Sequence, residues 1–166
     1  MSRPLLLICC GLPGVGKSTV AAYAAEQLSA ARYRSDEIRL ELFDEPTYER
    51  SEVRKTYDEL LRRARDDLES DRSVVVDATF KRPSQRQNAA DVAAEIGARI
   101  RFVRVTCPPE IVRERIRART DDPSEADVSV YELHRETYEP IERDHHTVDN
   151  GGSLPETYRQ VDRVLG

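Results

Sequence analysis

The chain has 166 residues, 34% of them charged, and a formal net charge of −5. That length suits one domain able to bury a core without disulfide or metal staples, and the acidic balance excludes the broad basic footprint of a nucleic-acid coat or a membrane binder. An anionic ligand must therefore be met by a local cluster of cations.

The first apolar run, Leu5 to Cys10, reads as a buried parallel strand and is too short for a signal peptide or a membrane span. Directly after it comes Gly11-Leu12-Pro13-Gly14-Val15-Gly16-Lys17-Ser18-Thr19, the spacing of a phosphate-binding P-loop. Glycines let the backbone curl until successive N–H groups point at a phosphate, and the following helix, expected over Thr19 to Leu28, adds the positive end of its dipole. On this reading Gly11, Pro13, Gly14, Val15, Gly16, Lys17, Ser18 and Thr19 form an ATP site. Lys17 reaches the β- and γ-phosphates and the Ser18 hydroxyl ligates Mg²⁺.

A short second strand ends near Arg34 and runs into a helix that Ser35 or Asp36 is expected to cap. Ligands of open α/β sheets lie beyond the carboxyl ends of strands, so Asp36 faces the phosphates and is a candidate general base for an attacking hydroxyl. Arg39, one turn on, is placed to hold an anionic group of the acceptor. Ser51 to Ser70 carries Val53, Tyr57, Leu60, Leu61, Ala64 and Leu68 at helical spacing, with Asp58–Arg62 and Glu59–Arg63 pairs on the solvated face. Val74-Val75-Val76-Asp77 is a hydrophobic strand ending in an acid, the form of a Walker B segment. Asp77 can hold a Mg²⁺-bound water or orient Arg39, and Thr79 can touch the acceptor.

Pro83 opens the next helix, whose Ala89, Val92, Ala93 and Ile96 face the sheet, and Gly97 stops it. A strand follows over Ile100 to Val105. Pro108 and Pro109 open a helix in which Ile111, Val112, Ile116 and Ala118 define the buried sector. Arg115 and Arg119 fall inside that sector, as a lid would need to bring cations to ATP phosphates, whereas Arg113 and Arg117 fall on the solvated side. Ser124 to Asp127 reads as a capping-box variant before a helix whose Val128, Tyr131 and Tyr138 share one side and which ends near Pro140. A short strand at Thr147-Val148 leads to Asn150-Gly151-Gly152-Ser153 and a last helix reaching Leu165. Cys9, Cys10 and Cys107 read as small buried residues of a chain in a reducing, cytoplasmic compartment, and His134, His145 and His146 show no metal spacing. Alternating units of this kind predict a single three-layer α/β/α domain over residues 1–166, with a parallel, roughly five-stranded sheet and a helical lid near residues 108–127.

With GLPGVGKST, SDEIR, VVVDATF followed by a helix containing Arg86, and RERIRAR in this order, the chain resembles the P-loop kinases grouped around the kinase domain of polynucleotide kinase. The resemblance covers almost the whole chain. It implies Asp36 as general base, Arg39 as the arginine that binds acceptor phosphate, Arg119 as the lid arginine on ATP phosphates and Arg115 as its helper. The closing VDNGGSLPE resembles the loop such kinases use beside the adenine ring. Polynucleotide kinases usually carry Asn beside the position of Asp77, whereas this chain reads Asp-Ala-Thr-Phe, closer to stand-alone members of the group.

The resulting expectation is an ATP- and Mg²⁺-dependent kinase acting on a hydroxyl of a small molecule or of a nucleic-acid 5′ end, with Arg39, Asp77, Thr79 and Arg86 on the acceptor side and no membrane partner or obligatory protein partner. The alternative is a non-enzymatic ATP-binding switch. No guanine-selecting Asn-Lys-x-Asp motif is present to make it a GTPase.

Overall fold

A computed structural model describes residues 3–118 and 128–166. Five strands, β1 (Leu5–Cys10), β2 (Ala31–Arg34), β3 (Val74–Asp77), β4 (Arg99–Thr106) and β5 (His146–Asp149), form one parallel sheet in the order β2-β3-β1-β4-β5. The helices are α1 (Lys17–Leu28), α2 (Ser35–Leu42), α3 (Arg50–Glu69), α4 (Pro83–Ile96), α5 (Pro109–Ala118), α6 (Val128–Thr137) and α7 (Leu154–Leu165).

The expected three layers follow from the period-2 alternation of β1, every residue of which is buried. Leu5, Leu7 and Cys9 pack toward α1, α5 and α7, while Leu6, Ile8 and Cys10 pack toward α3 and α4. A strand covered on both faces has no polar side to offer, which is why this segment reads as a continuous apolar run. The chain moves from β1 to its neighbours on one side and then crosses to β4 on the other. The crevice beyond β1 is thus the switch point where ligands of such sheets lie, and Cys9 pairs with Asp77 on one flank and Val103 on the other.

Several local details differ from expectation. Helix α1 starts at Lys17, two residues before Thr19, and α2 starts at Ser35 with Arg34 as its N-cap, so neither Ser35 nor Asp36 is the cap. Asp36 instead occupies the first turn, where its charge meets the positive end of the helix dipole. On α3, Glu59 holds both Arg62 (2.7 Å) and Arg63 (2.8 Å), and Arg62 turns to Asp66 rather than to Asp58. Helix α6 ends at Thr137, ahead of Tyr138 and Pro140. Pro83, Gly97 and the Ser153–Glu156 capping box of α7 sit where helix ends demand them. Residues 119–127, which include Arg119, Ser124 and most of the expected lid beyond α5, lie outside the described residues. Among the described residues no helix is long and apolar enough to cross a membrane.

Arg86 requires a correction. It is 2% exposed, and its guanidinium donates to the carbonyls of Phe80 (2.8 Å), Lys81 (3.1 Å), Glu139 and Pro140 (3.1 Å). Its plane also faces the Tyr138 ring. Guanidinium has five N–H donors in a rigid fork, and here the fork is occupied in tying the β3–α4 turn to the segment after α6. Arg86 is a structural clamp and not an acceptor ligand. We predict that Arg86→Ala lowers the free energy of unfolding by about 2–4 kcal/mol, because buried carbonyls lose their donor. A urea titration measures it, and an unchanged midpoint would mean that water replaces the clamp.

Candidate active site

The P-loop takes its shape from backbone conformations that L-residues avoid. Gly14 and Gly16 have φ of 83° and 90°, in the left-handed region. Space is equally restrictive: a Cβ on Gly16 would lie 2.1 Å from Asn150 Nδ2, and one on Gly11 2.6 Å from the Val105 carbonyl. Gly16 is also the N-cap of α1, so no side chain closes over the first-turn amides, and the turn carries no acid to compete with an anion.

Lys17 lies at this helix start and donates to the Leu12 carbonyl at 2.9 Å. Desolvation pushes its pKa down, and the charges of Asp77 and Asp36 push it back up. Both carboxylates are thereby in electrostatic reach of one ammonium. Asp77, 6% exposed at the end of β3, is raised by burial and lowered by Lys17 and then Arg34. Arg34 Nε stands 3.4 Å from Asp77 Oδ2, yet that oxygen is buried without a hydrogen bond. Asp36 differs, with a side chain 70% exposed and Oδ1 taking a 3.1 Å bond from Arg39 Nη1. Arg39 is 6% exposed, lies under the Tyr48 ring at 4.5 Å, and has a buried Nε without a partner.

Thr79 anchors rather than projects. Its carbonyl accepts from the Gly11 amide (3.2 Å) and the Tyr138 hydroxyl (2.6 Å), and its own hydroxyl is 3.2 Å from that of Tyr57. The β3 exit is thus bonded to the P-loop entrance.

Helix α5 covers the other flank. Val112 and Ile116 are buried as expected and press on Gly14, but Ile111 is half-buried and Ala118 exposed. Arg115 does point inward: Nη2 donates to the Asn150 carbonyl (2.9 Å), Nη1 approaches Cys107 Sγ (3.5 Å), and it lies within 4.0 Å of a Cβ built on Gly16. Arg117 is exposed. Arg113 is not free in solvent, because Glu132 of α6 takes its Nη2 at 2.6 Å and Nε at 2.7 Å. Helical periodicity within α5 cannot reveal a partner helix packed beside it.

Two further polar residues carry features that the sequence did not single out. Asn150, 5% exposed, donates from Nδ2 to the Val15 carbonyl (2.9 Å) and accepts the Thr157 hydroxyl (2.8 Å), while its amide bonds to Thr106 (2.7 Å). The sequence placed it in the VDNGGSLPE loop without assigning it these contacts. His134 of α6 has a buried Nδ1 without a partner, and its pKa is lowered by burial and then by Lys81 and Lys17. Nothing in the α6 sequence marks it apart from a core or surface histidine.

We predict that ATP with Mg²⁺ raises the melting temperature of the wild type, since a ligand bound only by the native state stabilises it by mass action. Lys17→Ala should lose most of that shift. Equal ATP affinities by calorimetry would refute the cradle.

The AAA_33 family, described as an AAA domain, matches residues 6–141. Uncharacterized proteins of Mycobacterium tuberculosis and Mycobacterium bovis are 34% identical over 132 residues, covering 72% of this chain and 26% of theirs. The chain thus spans about a quarter of the length of these curated relatives. Among solved structures, the Mycobacterium tuberculosis APS kinase CysC in complex with AMPPNP and APS superposes with a TM-score of 0.76 at 19% identity, over 99% of each chain. A gluconokinase from Sinorhizobium meliloti gives 0.69 at 21% identity, over 99% of this chain and 95% of that one. A chain of the Pnkp1/Rnl/Hen1 RNA repair complex gives 0.62 at 25% identity, over 87% of this chain and 50% of that one. These likenesses agree on a P-loop α/β fold, and with the model matching residues 6–141 the chain belongs to the AAA_33 family.

Proposed function

We propose that the chain is an ATP-dependent phosphotransferase that moves the γ-phosphoryl group to a hydroxyl acceptor. The observation that carries this reading is the placement of an exposed carboxylate, Asp36, in electrostatic reach of the P-loop lysine and held by a buried arginine. A protein that only binds ATP as a switch has no need of a carboxylate there. A transferase needs one to take a proton.

In the proposed reaction the acceptor hydroxyl gives its proton to Asp36 as its oxygen attacks the γ-phosphorus. The bond to the β,γ-bridging oxygen breaks and ADP leaves with the electron pair. Arg39 fixes one Asp36 oxygen, which leaves the other for the proton. Lys17 and the P-loop amides neutralise the β- and γ-phosphates, and Arg115 adds charge from the α5 side. Arg119 is assigned the matching role on ATP phosphates from its sequence position alone. A hard divalent cation takes oxygen ligands, and the Ser18 hydroxyl with the orphaned Asp77 Oδ2 would hold Mg²⁺ or its bound water. Bound there, the ion would neutralise phosphate charge. Thr79 keeps the acceptor side registered to the P-loop. Structures sharing this fold include an APS kinase, a gluconokinase and part of an RNA repair complex, so acceptor identity is set by side chains at the β2 and β3 ends rather than by the fold.

The test is transfer of labelled γ-phosphate to a panel containing APS, gluconate and a 5′-hydroxyl oligonucleotide. Asp36→Asn should lower transfer by about 10²- to 10⁴-fold with ATP affinity unchanged. Full turnover by this variant would reduce Asp36 to a first-turn acid of α2.

A second prediction separates the arginines of α5. Arg115→Ala should lower turnover by about tenfold or more, through lost charge on the transferring group. Arg117→Ala should be silent because an exposed charge contributes little. Arg113→Ala should lower thermal stability without changing kcat, through the lost Glu132 pair. Equal kinetic effects from all three would defeat the inward assignment of Arg115.

A further inference from the structure

Glu52 is a buried carboxylate that the phosphotransfer chemistry does not use. It is 5% exposed in the first turn of α3, and no cation pairs with it among the described residues. Its oxygens are spent on backbone instead: the Thr47 amide donates to both at 3.0 Å, and the Tyr48 amide donates to Oε2. An ordinary capping box would return this side chain to the N-cap amide, that of Glu49. Glu52 reaches past it, to two residues that lie outside the helix.

Tyr48 needs that support. Its φ of 62° is left-handed, a conformation that disfavours any residue with a Cβ. The turn brings its ring over the guanidinium of Arg39, 4.5 Å from Cζ to the ring centre. Arg39 is then held on its face by Tyr48 and at Nη1 by Asp36, with Nε buried and unpartnered. A buried charge without a counter-ion is costly unless hydrogen bonds meet it. Here those bonds fix the conformation of one turn, and that turn fixes one arginine.

We propose that Glu52 is a positioning residue for the acceptor: through Tyr48 it holds Arg39 in the orientation in which Arg39 binds an anionic group of the acceptor beside Asp36. This rests on the phosphotransferase reading for the role of Arg39, whereas the coupling from Glu52 to Arg39 stands on geometry alone. Glu52 acts through the loop, so its effect falls on acceptor binding and leaves the P-loop untouched.

Two readouts test it, neither of which needs the acceptor's identity. The Nε–H resonance of Arg39, assigned by its loss in Arg39→Lys, should be shifted upfield by the Tyr48 ring current and protected from exchange. Glu52→Gln should move it toward the free-arginine position, and Tyr48→Leu should do the same without touching the buried carboxylate. Sulfate serves as the probe anion, titrated onto protein whose P-loop is filled with AMPPNP and Mg²⁺. Both variants should weaken sulfate binding by about tenfold, as expected when a stacked, fixed guanidinium is released, with AMPPNP affinity unchanged. A Leu68→Ala variant, destabilised far from the loop, should leave both readouts alone. An Arg39 resonance and a sulfate affinity unchanged in Tyr48→Leu would overturn the proposal, even where Glu52→Gln fails to fold. Arg39→Ala without effect on sulfate affinity would instead strike the reading of Arg39 as an anion ligand, and the resonance would still report on the coupling.

Discussion

Everything at the crevice depends on the contact between Gly16 and Asn150. The residue before the P-loop lysine has no side chain, and the Asn150 amide occupies the volume a Cβ would claim. From there Asn150 bonds the Val15 carbonyl of the P-loop, the β4 end at Thr106, the hydroxyl of Thr157 on α7 and the guanidinium of Arg115 on α5. Asn150 serves four elements, two through its side-chain amide and two through its backbone, only if all of them arrive at once, so the P-loop curvature, the α5 approach and the β5–α7 turn form one cooperative unit. Gly16 is needed for its φ and for this contact together. Either requirement alone would exclude a side chain.

The flank formed by β2, β3 and α2 is built on a different principle. Around β2, β3 and α2 the protein buries charges without closing all of their hydrogen bonds: Arg39 keeps a free Nε and Asp77 a free Oδ2. In a purely structural setting such groups are destabilising, and isosteric apolar residues would serve better. Low dielectric is also what makes a fixed charge effective against a developing one. Lys17 shows the balance most plainly: burial pushes its pKa below the ordinary lysine value, and Asp77 and Asp36 offset only part of that.

Legibility in the sequence divides along the same line. The apolar run of β1 and the glycine spacing after it are local signals. Backbone geometry does the binding there, so the residues that matter are those that permit an unusual backbone. Apolar runs, helical periodicity and the residues of caps and turns likewise located the described helices and strands. The errors came wherever a side chain answers to a distant element. Arg86 read as an acceptor ligand because its four carbonyl partners lie in segments up to residue 140. Arg113 read as solvated because Glu132 belongs to another helix. Glu52 drew no reading from the sequence, because its contacts reach back to Thr47 and Tyr48 outside its helix.

This division also explains why the nucleotide was easier to infer than the acceptor. Phosphate recognition by main-chain amides needs no particular side chains beyond Lys17 and Ser18, so one short motif carries nearly all of it. On the proposed reading, acceptor recognition draws on α2, the loop before α3, α3 itself and the β3 exit, where side chains are oriented by tertiary contacts. Fold comparison cannot supply that information either. An APS kinase and a gluconokinase share this architecture, so the fold does not by itself name the acceptor. If Asp36 and Arg39 act as proposed, the chemistry of the acceptor is read from their orientation, and Arg39 lies against a loop whose anchor is a buried carboxylate on the next helix.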